Sequence, residues 1–187
     1  MRDQSESFSP TAYLPAVSGY YSDVNGNMLS FPFNVSTPIL YYNKDLFRSA
    51  GLDPETAPKT WPEVGAAAKR LRAAGAMCGL TTSWPSWVNV ENFSAFHDLP
   101  MSTKANGFGG LDAELSFNNP LMVRHIGQLA EWQATKAFDY SGRGQSAEPR
   151  FQKGECGIFI GSSGTRADIK ANSQFEVGYG MLPYWPD

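Results

Sequence analysis

The chain has 187 residues, 42% hydrophobic and 18% charged, with a net charge of −3. That is enough apolar material for a core and too little charge for a disordered chain. It leaves no basic stripe for nucleic acid, and no apolar run reaches the roughly 20 residues of a membrane span.

Residues 1–34 show no clear period. The opening, "MRDQSESFSP", lacks the apolar core of a signal peptide, which places the chain in the cytosol if Met1 is the true start. "TPILYYN" (37–43) reads as a short buried strand. Asn43 then caps a short helix, "KDLFRSA", that Gly51 ends. Thr60 to Glu63 forms a T-x-x-E capping box. It opens a helix through about Ala74, with Val64, Ala67, Ala68 and Leu71 on one face and Gly75 closing it.

"MCGLTTS" (77–83) reads as a strand, and "WPSWVNVENFSAF" as a loop entering a short helix near Val88. A long excursion follows, with a small strand pair near 113–117. Asn119 caps a helix with Pro120 at its first position, and Met122, Ile126 and Leu129 recur at helical spacing. A shorter helix around 145–153 ends at Gly154. "CGIFIG" is a strand, a Ser-Ser-Gly turn starts a helix, and "FEVGYGMLPY" is the last strand.

Strands alternating with helices make the class α/β with a largely parallel or mixed sheet. Ligands of such sheets sit beyond the carboxyl ends of strands. Trp84 and Ser162 stand just past predicted strand ends, whereas Ser36 stands just before a strand, where the rule does not reach. The chain begins without an organised element and stops at "PYWPD" directly after a strand, which reads as a segment of a longer protein.

Chemistry-bearing patterns are few. His97 and His125 lie in no metal-ligand spacing, and His125 reads as a surface or boundary residue. "NGFGGLD" (106–112) lacks the Lys-Ser/Thr pair of a phosphate loop and reads as a flexible turn. "GSSG" is not a nucleophile elbow, and nothing in the sequence brings His97-Asp98 to a serine. Asp53 and Glu55 read as solvated, and Glu91 as a residue that caps or orients the helix after the two tryptophans. Cys78 and Cys156 are either core thiols or one disulfide, a choice their count leaves open.

Two features point to a ligand. In "WPSW", Trp84 and Trp87 stand at a strand exit, where indole faces cover the carbon skeleton of a polyol or sugar, or else plug the core. In "GIFIGSSGTRADI", the Ser-Ser-Gly turn is either an ordinary helix cap or an anion site made of hydroxyls and helix-start amides.

Four stretches together resemble a known family: "PFNVSTPILYYNKDLFRSAGLDPETAPKTWPEV", "WPSWVNVENFSAF", "FQKGECGIFIGSSGTRADI" and "VGYGMLPY". The chain resembles the extracellular solute-binding proteins of ABC importers. The pattern Y-N-K-D-x-F…G-L-D-P…P-K-T-W is broad in that family. The W-x-x-W after the second strand and F-x-x-G-x-C-x-x-x-x-x-S-S-G are narrower and point to its glycerol-phosphate branch.

The resemblance implies one lobe plus crossing strands of a two-lobed periplasmic-binding-protein type II fold. Residues 1–43 would end the first lobe and form the first crossing strand, 44–177 the second α/β lobe, and 178–187 the return strand. It implies Ser36, Trp84, Trp87 and Ser162 as ligand contacts, with no catalytic residue, metal or cofactor, and it decides the serine turn in favour of the anion site, hydroxyls and free helix-start amides together holding phosphate. Val35 departs from the small polar residue expected there, and Pro85-Ser86 between the tryptophans bear on loop stiffness and ligand choice. Cys78 and Cys156 fall on family cysteine positions.

The implied function is capture of sn-glycerol-3-phosphate or a glycerophosphodiester for an inner-membrane ABC permease. The compartment would be periplasmic or extracellular, with a signal peptide upstream, against the cytosolic reading of Met1. The resemblance also implies an arginine contact to the phosphate, outside these residues. The alternatives are a sugar- or oligosaccharide-binding protein of the same fold, a secreted phosphodiesterase using Ser162, and a structural module whose tryptophans are core.

Overall fold

The computed structural model describes residues 9–186. The opening stretch read for a signal peptide lies largely outside them. Four strands form one mixed sheet in the order β2-β3-β1-β4: β1 (Pro38–Asn43), β2 (Cys78–Thr82), β3 (Cys156–Ser162) and β4 (Val177–Gly180). β2 and β3 run parallel, and β1 is antiparallel to both β3 and β4. Beside β2, an isolated parallel bridge pairs Leu80 with Phe138 and carries 136–139 along the sheet's outer edge. The last predicted strand shrinks to four residues, because "MLPY" leaves the ladder after Gly180.

Among the described residues eight α-helices accompany the sheet: α1 (Pro15–Tyr20), α2 (Lys44–Ser49), α3 (Trp61–Ala73), α4 (Phe93–Phe96), α5 (Thr103–Asn106), α6 (Pro120–Ala134), α7 (Ala147–Gln152) and α8 (Arg166–Asn172). The sequence reading missed α1, and the expected strand pair near 113–117 is a single bridge, Ser102 to Leu115. A π-helical turn, Trp87–Asn92, leads into α4.

The predicted caps are present. Asn43 Oδ1 accepts from the amides of Asp45 and Leu46, and Asn119 Oδ1 from that of Met122. The Thr60–Glu63 box closes in both directions, which satisfies amides the first turn of α3 would otherwise leave open. Gly75 and Gly154 take φ of 100° and 74° where α3 and α7 stop, a region that costs a side-chain-bearing residue about 1 kcal/mol or more.

Alternate residues of the central strands feed two apolar clusters. Leu40, Tyr42, Leu80, Ile158 and Ile160 join the apolar face of α3, together with Phe93, Met122, Leu129 and Trp132. Tyr41 and Phe159 join Phe151 of α7 and Ile169 of α8. Strands buried by helices in this way make the α/β layering expected from the sequence. Ile126 turns out 43% exposed, and the fourth inward residue of α6 is His125 instead, at 1%.

That corrects the reading of His125 as a surface or boundary residue. Its ring stacks on Phe93, with centroids 4.0 Å apart, and its Nδ1 accepts from Trp185 Nε1 at 3.3 Å. Burial first, and His97 second, push its pKa down to about 3, so the ring is neutral at pH 7. Cys78 and Cys156 form a disulfide between directly paired residues of β2 and β3.

Candidate functional site

The candidate site follows from the direction of β1. Because β1 runs antiparallel to β3, Pro38 at its start stands opposite Ser162 at the end of β3. Ser36, two residues earlier, therefore reaches the edge at which β3 exits. The Thr37 amide donates to Ser163 Oγ at 3.2 Å, and the Ser163 amide donates to Thr37 O at 2.8 Å. A Cβ placed on Gly164 would stand 3.2 Å from Ser162 Oγ and 3.4 Å from Ser36 Oγ. The two hydroxyls thus come together against the same glycine.

Trp84 comes to the same edge by parallel pairing. Thr82 stands opposite Ile160, and the Ser83 amide continues the ladder to Ile160 O at 3.1 Å. Two residues past that pair, Trp84 is level with Ser162 on the neighbouring strand, where backbones are about 4.8 Å apart. The Trp84 backbone has φ of 46°, a region disfavoured for bulky residues, and the residue is 46% exposed. Its amide donates to Gly144 O at 3.0 Å and its carbonyl accepts from Val88 N–H at 2.9 Å. A strained, pinned residue with an exposed indole is what a preformed contact surface requires.

Trp87 differs. It is half-buried and packs against the main core cluster, beneath the loop. Of the two tryptophans, Trp84 therefore presents more ring to solvent.

The serine turn corrects one expectation. Ser162 Oγ accepts from the Gly164 amide at 3.0 Å, and the Ser163 amide is bonded to Thr37 O. Two of the helix-start amides offered to an anion are thus already engaged, and Ser162 is a cap. Asp168 also occupies the first turn of α8. Glu148 has its carboxyl pKa raised, first by burial and then by its hydrogen bond with Asp168. The turn also offers a ligand hydroxyl chemistry: Ser162 accepts the amide and keeps its own O–H to donate, and Ser36 has an O–H to donate.

No catalytic set forms around Ser162 among the described residues. Both ring nitrogens of His97 are bonded elsewhere, Nδ1 to Phe93 O at 2.8 Å and Nε2 to the Trp185 amide at 2.9 Å. A separate open groove of about 540 Å³, lined by Lys59, Phe96, Met181, Leu182 and Tyr184 among others, includes none of the four expected contacts. The sequence reading also passed over the 140–146 loop, which meets the site through the bond from Trp84 to Gly144. Its signal was the short run "AFDYSGRG" after a helix, continuing the sheet edge.

The sequence profile of the bacterial extracellular solute-binding protein family matches residues 5–187. The chain belongs to this family. Over all 187 residues it is 46% identical to the sn-glycerol-3-phosphate-binding periplasmic protein UgpB of Yersinia enterocolitica, covering 43% of that protein. The same identity and coverage hold for UgpB of Salmonella typhimurium. Among solved structures, UgpB from Mycobacterium tuberculosis in complex with glycerophosphocholine superposes with a TM-score of 0.74 at 23% identity, over 95% of this chain and 44% of that one. Maltose-bound MalE3 of T. maritima superposes at 0.73 and 20% identity, over 93% of this chain and 45% of that one. These structures establish a shared fold. The chain spans less than half the length of these relatives.

Proposed function

We propose that this chain is part of the substrate-binding component of an ABC importer, working in the periplasm or outside the cell. It captures sn-glycerol-3-phosphate or a glycerophosphodiester and passes it to an inner-membrane permease. The observation that carries this reading is the meeting of Ser36, Ser162 and exposed Trp84 at one sheet edge, in a chain 46% identical throughout to glycerol-3-phosphate-binding proteins. The two hydroxyls donate to phosphate oxygens. The Trp84 indole covers glycerol carbons, with Trp87 supporting it from below. Nothing in this arrangement activates a nucleophile, which favours binding over hydrolysis.

In this reading residues 1–43 complete a first lobe and enter the second by β1, 44–177 form the second lobe, and 178–187 cross back. Closure of the two lobes excludes water and strengthens the polar contacts. Titration calorimetry of the complete protein tests it. Binding of glycerol-3-phosphate or glycerophosphocholine, with maltose inert, is the expected result. Binding of maltose alone favours the sugar-binding reading, for which the likeness to MalE3 speaks.

A further inference from the structure

With the Ser163 and Gly164 amides engaged, the serine turn itself offers an anion hydroxyls, and the nearest arginine in sequence, Arg166, lies over the Tyr179 ring. A phosphate prefers a charged, two-pronged partner such as a guanidinium. The described arginines divide sharply on this point. Arg48 and Arg150 are in ion pairs, Arg70 and Arg72 bond backbone carbonyls, Arg124 lies over the Trp185 ring, and Arg166 over that of Tyr179. Arg143 alone among them has no ion pair, hydrogen bond or ring contact, and it is exposed.

Its position is fixed from both sides. Upstream, the Phe138 bridge lays 136–139 along the edge of β2, so the chain leaves the sheet at the same end as Trp84 and Ser162. Arg150 Nη1 donates to Asp139 Oδ2 at 2.9 Å and to Ser141 Oγ at 2.8 Å, and the Tyr140 amide donates to Gln133 Oε1 at 2.7 Å. Downstream, Gly144 O takes the Trp84 amide. A free guanidinium is thus mounted on an anchored loop, one residue from a bond to the aromatic contact. Ser83, the residue before Trp84, is 2% exposed, and its hydroxyl has no partner among the described residues.

We propose that Arg143 supplies this sheet edge's positive charge to the ligand's phosphate and sets a preference for the doubly charged monoester over a diester. This rests on the reading above. Trp84 covers the carbons, Ser36 and Ser162 donate to one phosphate oxygen, and Arg143 closes on the others from beyond Trp84.

The test is calorimetry on the complete protein and its Arg143→Gln and Arg143→Lys variants, with glycerol-3-phosphate and glycerophosphocholine, at pH 5.5 and pH 8. A phosphate monoester takes its second charge near pH 6 and a diester does not. Arg143→Gln is expected to weaken glycerol-3-phosphate about 10- to 100-fold at pH 8, and less at pH 5.5. Its effect on the diester should be smaller and flat with pH. Arg143→Lys should fall between, and thermal unfolding of all three should agree. Unchanged monoester affinity in Arg143→Gln overturns the proposal, as does an equal loss for both ligands at both pH values, the mark of a role in closure. If the unmodified protein binds neither ligand, the broader functional reading fails first and this proposal falls with it.

Discussion

Ser36 and Ser162, 126 residues apart in sequence, place their hydroxyls within 3.4 Å of one point above Gly164. They meet because β1 and β3 are antiparallel, which turns the start of one strand into the neighbour of the end of the other. The glycine matters because a side chain at that point would press on both hydroxyls.

Gly164→Ala fills it. The added methyl stands against both hydroxyls and against a ligand oxygen between them. Affinity for glycerol-3-phosphate in the complete protein should fall by about 1–2 kcal/mol, the scale of modest overpacking. The melting temperature should barely move, since Gly164 is exposed. A variant that binds normally would show that the space above Gly164 is not used.

Removing the indole in Trp84→Ala should weaken ligand by about 1–3 kcal/mol, by analogy with stacking of rings on aromatic side chains. The substitution leaves φ of 46° to a smaller residue and exposes little core. Trp87→Ala should instead lower stability as well, because Trp87 packs on the main cluster. Paired calorimetry and thermal denaturation separate the two.

Gly79→Ala tests the fold rather than the site. A Cβ there would stand 2.5 Å from the Ala68 backbone oxygen, so β2 and α3 would have to part. A loss of about 3 kcal/mol is expected in denaturant titration. Breaking the Cys78–Cys156 bond by paired alanine substitution should also cost about 2–5 kcal/mol, since it closes a loop of 78 residues.

His125 makes stability depend on pH. Its folded pKa, about 3, lies below the usual 6.5, so between those values the unfolded chain binds the extra proton. Stability is present in full above pH 6.5 and is lost as pH falls toward 3. The drop from pH 6.5 to pH 4 should be about 3 kcal/mol, and His125→Asn should flatten it while lowering stability at neutral pH. An unchanged slope in that variant would assign the effect to other groups.

Much of this was legible in the chain. Asn43, Asn119 and the Thr60–Glu63 box mark helix starts by local hydrogen-bonding, and local chemistry is readable from neighbours in sequence. The run from Ile158 to Ile160 is a buried strand by its own pattern. Strand direction was not legible, because pairing β1 antiparallel to β3 is set by contacts more than 100 residues apart. Ser36 therefore stood outside the strand-end rule although it reaches the same edge. His125 looked peripheral because no sequence pattern shows Trp185 and Phe93 closing over it. The serine turn reads as a cap from its own residues and as an anion seat through the resemblance, and its local sequence does not show Thr37 taking up the Ser163 amide.

A crystal structure of the complete protein with glycerol-3-phosphate is the most direct measurement. The account predicts ligand oxygens within hydrogen-bond distance of both Ser36 Oγ and Ser162 Oγ, with the glycerol carbons against the Trp84 ring. Ligand lodged elsewhere, for instance in the groove between Phe96, Met181 and Tyr184, would contradict it.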